Sequence, residues 1–211
     1  MDQYLKVFWA YNNRRRLSLE LSDYLQQHAL CFILKARENL IGRGENPDTW
    51  CFNKKGIIRY YTLLKKENFT CRFRTQSEFM VFDNDAWEKR HGPYEIGVDA
   101  VTDAVLWSIP REVIRTVQQL FPEFTKPYTN AICNEWKDSS DLSWPREYKS
   151  IRYNVLLQLY GKLLHRIPVG DLASFVCTDA KQLEVMLPGK TKTKLPFFVP
   201  LSVNRGGIRR W

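Results

Sequence analysis

Residues 17–25 place Leu17, Leu21, Tyr24 and Leu25 at three- and four-residue intervals, which predicts a short amphipathic helix. From Cys31 to about Thr75 the period changes. Residues 31–34, 50–52, 57–61 and 69–73 are short runs rich in β-branched and aromatic residues. Turn-forming stretches separate them, at residues 42–47, 53–56 and 65–68. Phe69, Cys71 and Phe73 alternate with Thr70, Arg72 and Arg74, the pattern of a strand with one buried face. Residues 77–90 read as a helical turn leading into a loop at His91-Gly92-Pro93. Two more strands, over residues 95–100 and 104–109, flank a turn at Thr102-Asp103. Pro110 suits the start of a helix over residues 111–120, where Val113, Ile114, Val117 and Leu120 share a face. The expectation is a helix, about eight strands in an antiparallel sandwich or barrel, and a second helix.

The strand signal ends at Pro122. Phe124, Tyr128, Ile132 and Trp136 recur every four residues with Ala131 beside them, a helix with an aromatic stripe. Tyr148, Ile151, Val155, Leu159 and Leu163 form a second stripe, joined by Leu156, Tyr160 and Leu164. Asp138-Ser139-Ser140-Asp141 reads as a hinge between them. Strands followed by helices indicate an α+β layout or two separate domains.

Composition narrows the class. The chain is 44% hydrophobic, enough for a packed core. No apolar run approaches the ~18 residues a membrane-spanning helix needs, and Met1-Asp2-Gln3-Tyr4 lacks the charged-then-apolar layout of a signal peptide. A membrane partner is not expected. The five cysteines, Cys31, Cys51, Cys71, Cys133 and Cys177, contain no Cys-x-x-Cys pair, so neither a disulfide framework nor a metal site is indicated. Reduced core thiols in a cytoplasmic protein are the expectation. The net charge of +9 favours a polyanionic partner. That charge concentrates at Arg14-Arg15-Arg16 and in the tail carrying Lys190, Lys192, Lys194, Arg205, Arg209 and Arg210. The sequence has no nucleophile elbow, phosphate-cradling glycine loop or His-Glu metal signature, and neither an enzyme nor a cofactor is expected.

Ile151-Arg152-Tyr153-Asn154-Val155-Leu156-Leu157 resembles the helix preceding the DNA-binding motif of CRP/FNR-type transcription regulators. Residues 165–176, His-Arg-Ile-Pro-Val-Gly-Asp-Leu-Ala-Ser-Phe-Val, are similar to the first helix of that family's helix-turn-helix, with Ala173 at the small crossing position. Gly44-Glu45, the run from Lys55 to Tyr61 and Phe121-Pro122-Glu123-Phe124 resemble the family's sensor domain, in the right order. The resemblance implies an antiparallel β-roll, that is, a double-stranded β-helix of the cyclic-nucleotide-binding type, over residues 1–122. It further implies a dimerisation helix and hinge over 123–142 and a helix-turn-helix domain with a basic tail over 143–211. It assigns Tyr128, Ala131, Ile132 and Trp136 to a homodimer interface. Lys181, Gln182, Lys190, Lys192 and Lys194 fall to duplex DNA.

Two departures limit what carries over. In the window holding the family's phosphate-binding cassette, Glu78, Arg90 and His91 are the candidate ligand contacts, but Arg90 is followed by His91 rather than a small residue. Asp83, Asp85 and Glu88 would repel a phosphate. Cyclic AMP is therefore not expected, and the effector is unknown. In the recognition helix, Leu183 matches the buried leucine, but Glu184, Val185 and Leu187 replace polar and basic residues, leaving Lys181 and Gln182 as donors toward a groove. The alternative is a family-derived protein with a degenerate recognition helix that acts through protein contacts or a different small ligand.

Overall fold

A computed structural model describes residues 18–42, 45, 49–64, 67–82, 96–140 and 149–187. Helix α1 (Leu19–His28) begins at Ser18, whose side chain accepts from the Leu21 N–H, an N-cap of the expected chemistry. Eight strands follow among the described residues: β1 (Leu30–Leu34), β2 (Asn39–Ile41), β3 (Thr49–Lys55), β4 (Ile58–Leu64), β5 (Glu67–Arg74), β6 (Glu78–Phe82), β7 (Ile96–Ala100) and β8 (Ala104–Pro110). They form two antiparallel sheets, ordered β1-β8-β3-β6 and β2-β7-β4-β5. The space between the sheets is filled by large apolar groups, with Tyr60, Met80, Phe82 and Leu106 fully buried. Gly56 turns β3 into β4 at φ +107°, and a β-carbon there would lie 2.7 Å from Ala104 Cα, so glycine is required on both counts.

Helix α2 (Arg111–Leu120) follows Pro110 as expected, and α3 (Thr125–Ser140) follows a single 3-10 turn. Both pack against β3 and α1 in a cluster holding Trp50, Phe52, Ile114, Val117 and Phe124. Then come α4 (Lys149–Tyr160), a 3-10 segment (Gly161–Arg166), α5 (Val169–Val176) and α6 (Ala180–Met186). Among the described residues, no helix is long and apolar enough to cross a membrane.

Several expectations need correction. The stretch expected to be a helical turn contains a strand, β6, paired with β3 from Thr49↔Phe82 to Asn53↔Glu78. Strand β5 is not half-buried: Thr70, Arg72 and Arg74 are buried as well as Cys71 and Phe73. A bulge between Tyr60↔Arg72 and Tyr61↔Thr70 inserts Cys71, and helices cover the outer face. Leu120 is exposed rather than on the core face of its helix, and the buried residues of α4 are Arg152, Tyr153, Leu156 and Tyr160, while Leu159 is 66% exposed. Of the expected hinge, Asp138, Ser139 and Ser140 are helical, the last residues of α3, and Asp141 lies outside the described residues.

Candidate nucleic-acid interface and its seat on the roll

The head comprises α4 to α6. Proline at 168 starts α5, as fixed φ allows at a helix start. Cys177 ends it in the left-handed conformation (φ 62°, ψ 46°), a geometry in which the Thr178 N–H reaches Ala173 O at 3.0 Å. Three residues, Cys177 to Asp179, then lead into α6, where the Asp179 carboxylate caps the helix by accepting from the Gln182 N–H at 2.8 Å. Ala173 and Leu183 are buried between the helices, as the helix-turn-helix pattern requires. Tyr153 donates its hydroxyl to Met186 O and ties the end of α6 back to α4.

Lys181 and Gln182 are exposed on α6. The Thr178 hydroxyl donates to Gln182 Oε1 at 2.8 Å, holding the amide carbonyl to the turn and leaving its NH2 as the outward group. Val185 beside them is 63% exposed and Glu184 half-buried. Sequence reasoning passed over Lys162 and Arg166, which stand exposed on the 3-10 segment before α5; their charge in a short polar stretch was the available signal. Lys190, Lys192 and Lys194 lie outside the described residues, as do Arg90 and His91. Glu78 is half-buried at the start of β6, and its Oε2 accepts from the Thr75 N–H, closing the turn before the strand.

Along α3, Tyr128 stacks on Trp50 of β3 with ring centroids 5.1 Å apart, and Ala131 is only 3% exposed in the same cluster. Ile132 packs partly against that cluster, and the side chain of Trp136 lies outside the described residues. The expected interface face is therefore turned, at Tyr128 and Ala131, onto the chain's own roll. Among the side chains described on this helix, those of Thr125, Lys126, Thr129 and Cys133 are exposed.

The head sits on β4 and β5 through buried polar chemistry that the sequence reading missed. Arg59 on β4 holds Asp99 of β7 through two hydrogen bonds, Nε to Oδ1 at 2.9 Å and Nη2 to Oδ2. Its Nη1 donates to Asp171 Oδ1 of α5 at 2.6 Å, and Arg37, in the turn between β1 and β2, reaches Asp171 Oδ2 at 2.9 Å. Burial works against the Arg59 charge, but Asp99 and then Asp171 outweigh it, so the guanidinium is held above its ordinary value and stays charged. The free edge of β5 is occupied as well. Ser174 Oγ accepts from Thr70 N–H and donates to Asn68 O, each at 2.8 Å. Tyr160 Oη accepts from Phe73 N–H at 3.3 Å and donates to Phe73 O at 3.0 Å. Arg152, 2% exposed, donates to Thr70 O at 3.1 Å and to Phe175 O, with its guanidinium between the rings of Phe69 and Phe175. Ile57, Phe73 and Val101 of the roll share one apolar cluster with Leu156, Leu172, Phe175 and Leu183 of the head.

A β-roll of two four-stranded sheets followed by a long helix and a small helical head is the CRP/FNR regulator architecture, and solved structures bear this out. The chain shares its fold with a protein from Eubacterium rectale assigned to the crp/fnr family of transcriptional regulators (14% identity, TM-score 0.58, covering 88% of this chain and 86% of that one). The c-di-GMP-responsive global regulator CLP of Xanthomonas campestris is similar at 13% identity and TM-score 0.57, over 78% of this chain and 87% of that one. FixK2 from Bradyrhizobium japonicum is similar at 14% identity and TM-score 0.57, over 74% and 81%. No protein-family model matches the sequence. No curated protein matches it either.

Proposed function

We propose that the chain is a transcription regulator of the CRP/FNR type, a homodimer that lays α6 on duplex DNA and carries a roll for a small effector other than cyclic AMP. The observation that carries this reading is the α5–α6 pair, joined by three residues, closed on Ala173 and Leu183 and presenting Lys181 and Gln182 outward. The net charge of +9 supports it through counterion release from phosphates. With its carbonyl held by Thr178, Gln182 offers a groove a single NH2 donor rather than the paired donor and acceptor that reads adenine. Base discrimination is accordingly small, and phosphate contacts from Lys181, Lys190, Lys192 and Lys194 supply most of the affinity. The packed interior of the roll supports leaving cyclic AMP out of this reading, because Tyr60, Met80 and Phe82 occupy the space between the sheets.

A second reading, a protein contact in place of DNA, is favoured by Val185, an apolar side chain exposed on the same helix as Lys181 and Gln182. Duplex binding measured against salt separates the two. Replacing Lys190, Lys192 and Lys194 by Ala is expected to weaken all duplexes alike and to reduce the salt slope by about 0.9 per lost phosphate contact, with Gln182→Ala nearly neutral. Absence of duplex binding at about 50 mM salt removes the DNA reading and leaves the protein contact. A single sharp palindromic site lost on Gln182→Ala shows instead that α6 reads bases.

A further inference from the structure

Two separate sets of contacts hold the head where it is, one through α5 and the other through α4 and α5 together. One is the ion network Arg37–Asp171–Arg59–Asp99, in which a carboxylate from the head is buried (5% exposed) between arginines supplied by two parts of the roll. The other is the edge of β5, where Asn68 O, both backbone groups of Thr70 and both of Phe73 are met by Ser174, Arg152 and Tyr160. The bulge at Cys71 makes this second set possible. It shifts the phase of the strand so that Phe73, rather than Arg72, turns its N–H and C=O to the same edge as Thr70. A strand edge paired by side chains in this way is closed as completely as if another strand lay beside it. If the head, α4 and α5 together, moved away, it would leave five backbone groups of β5 and the buried Asp171 carboxylate without partners at once.

We infer that the head is clamped to the roll as one rigid unit, with Asp171 as the pin, so that the orientation of α6 is set by this clamp and does not swing between two positions. Asp171 is in this sense a positioning residue: it touches neither the exposed face of α6 nor the space between the sheets, and it acts through α5. The inference holds whatever α6 binds, because it concerns only how the head is attached.

Amide hydrogen exchange of the full chain tests it without any ligand. In the wild type, the Thr70 and Phe73 amides, which donate on that edge to Ser174 and Tyr160, are expected to exchange as slowly as the amides of β3 and β8, within about tenfold, because they open only with global unfolding. Exchange at Thr70 and Phe73 a hundredfold or more faster than at β3 and β8 overturns the clamp. Asp171→Asn is expected to speed exchange at Thr70, Phe73 and α5 by at least about a hundredfold while leaving β3 and β8 within about threefold. If all amides accelerate equally, or none does, Asp171 is not the pin. Should Asp171→Asn fail to fold, Arg37→Gln removes only the exposed half of the network. It is expected to give about a tenfold acceleration at the same amides, and no change there counts equally against the pin.

Discussion

Cys51 and Cys71 show at the scale of single residues how burial sets chemistry. Both are buried; burial pushes the Cys51 thiol up to about 12, against smaller opposing hydrogen bonds from Ser108 and Thr49, and the Cys71 thiol up to about 11. Cys31 and Cys133 are exposed. A maleimide is therefore expected to label Cys31 and Cys133 in the native protein and Cys51 and Cys71 only after denaturation. Prompt native labelling of either buried thiol would contradict the packing described here. The same shifts fix a pH dependence. A thiol whose folded value lies above its unfolded value of 9.0 keeps its proton in the native state while the unfolded chain releases it. The stability tied to these thiols is thus fully present below about pH 9 and is lost as pH rises toward 11. The loss is about 1.4 kcal/mol per pH unit for each thiol in that window. Denaturant melts of wild type and Cys51→Ala across this range should diverge by that slope, with the variant losing less.

At the scale of elements, β5 and α4 show which patterns the sequence makes legible. The alternation of Phe69, Cys71 and Phe73 identified the strand correctly, but its polar positions are buried too: the head meets Thr70, and past the bulge Arg72 pairs with Tyr60 and lies over its ring, and no local pattern records a bulge or what covers a strand. In α4 the apolar stripe through Ile151, Val155 and Leu159 was the apparent buried face; the helix instead buries Arg152, Tyr153, Leu156 and Tyr160.

 The amphipathic side chains explain the difference. Arg152 lays its stem and guanidinium between two rings, and Tyr160 puts its hydroxyl on the strand edge, so polar residues face inward here. Burial holds the Tyr160 phenol above its ordinary value, and it remains a donor. Tyr160→Phe removes both hydrogen bonds to Phe73 while keeping the ring, and is expected to cost about 1–3 kcal/mol, read as a lower urea midpoint at unchanged m. An unchanged midpoint would mean that the edge of β5 needs no cap. Strand β6 escaped notice although Phe79, Val81 and Phe82 favour strands: its near-continuous apolar run, buried from Phe79 to Phe82, lacks the period-two alternation of a half-buried strand, and pairing with β3 fixes the extended form.

At the scale of the whole molecule, the proposed dimer and the proposed effector make separate predictions. With Tyr128 and Ala131 packed on the roll, a partner along α3 meets Lys126, Thr129 and Cys133. Sedimentation is expected to show a dimer at micromolar concentration, and mild oxidation is expected to link it through Cys133, with the link lost in Cys133→Ser. A monomer at that concentration removes the dimer. For the roll, calorimetry is expected to detect no cyclic AMP binding tighter than about 10 μM, a free energy near −7 kcal/mol. A tighter constant would show that the interior opens to admit it.

The sequence by itself determined the order of the elements apart from β2 and β6, because hydrophobic period, turn residues and the Pro110 and Pro168 helix starts are local signals that survive in one dimension. It also carried the resemblance to a family whose solved structures share this fold. Only the tertiary structure decided which faces are covered and by what. Asp171, an ordinary polar residue in a short helix, becomes a buried ionic partner because folding brings together Arg37 and Arg59, which are far from it in sequence. Ser174 and Tyr160 cap a strand edge for the same reason. Such roles depend on distances between segments remote along the chain, and a periodicity of two or 3.6 residues contains no information about them.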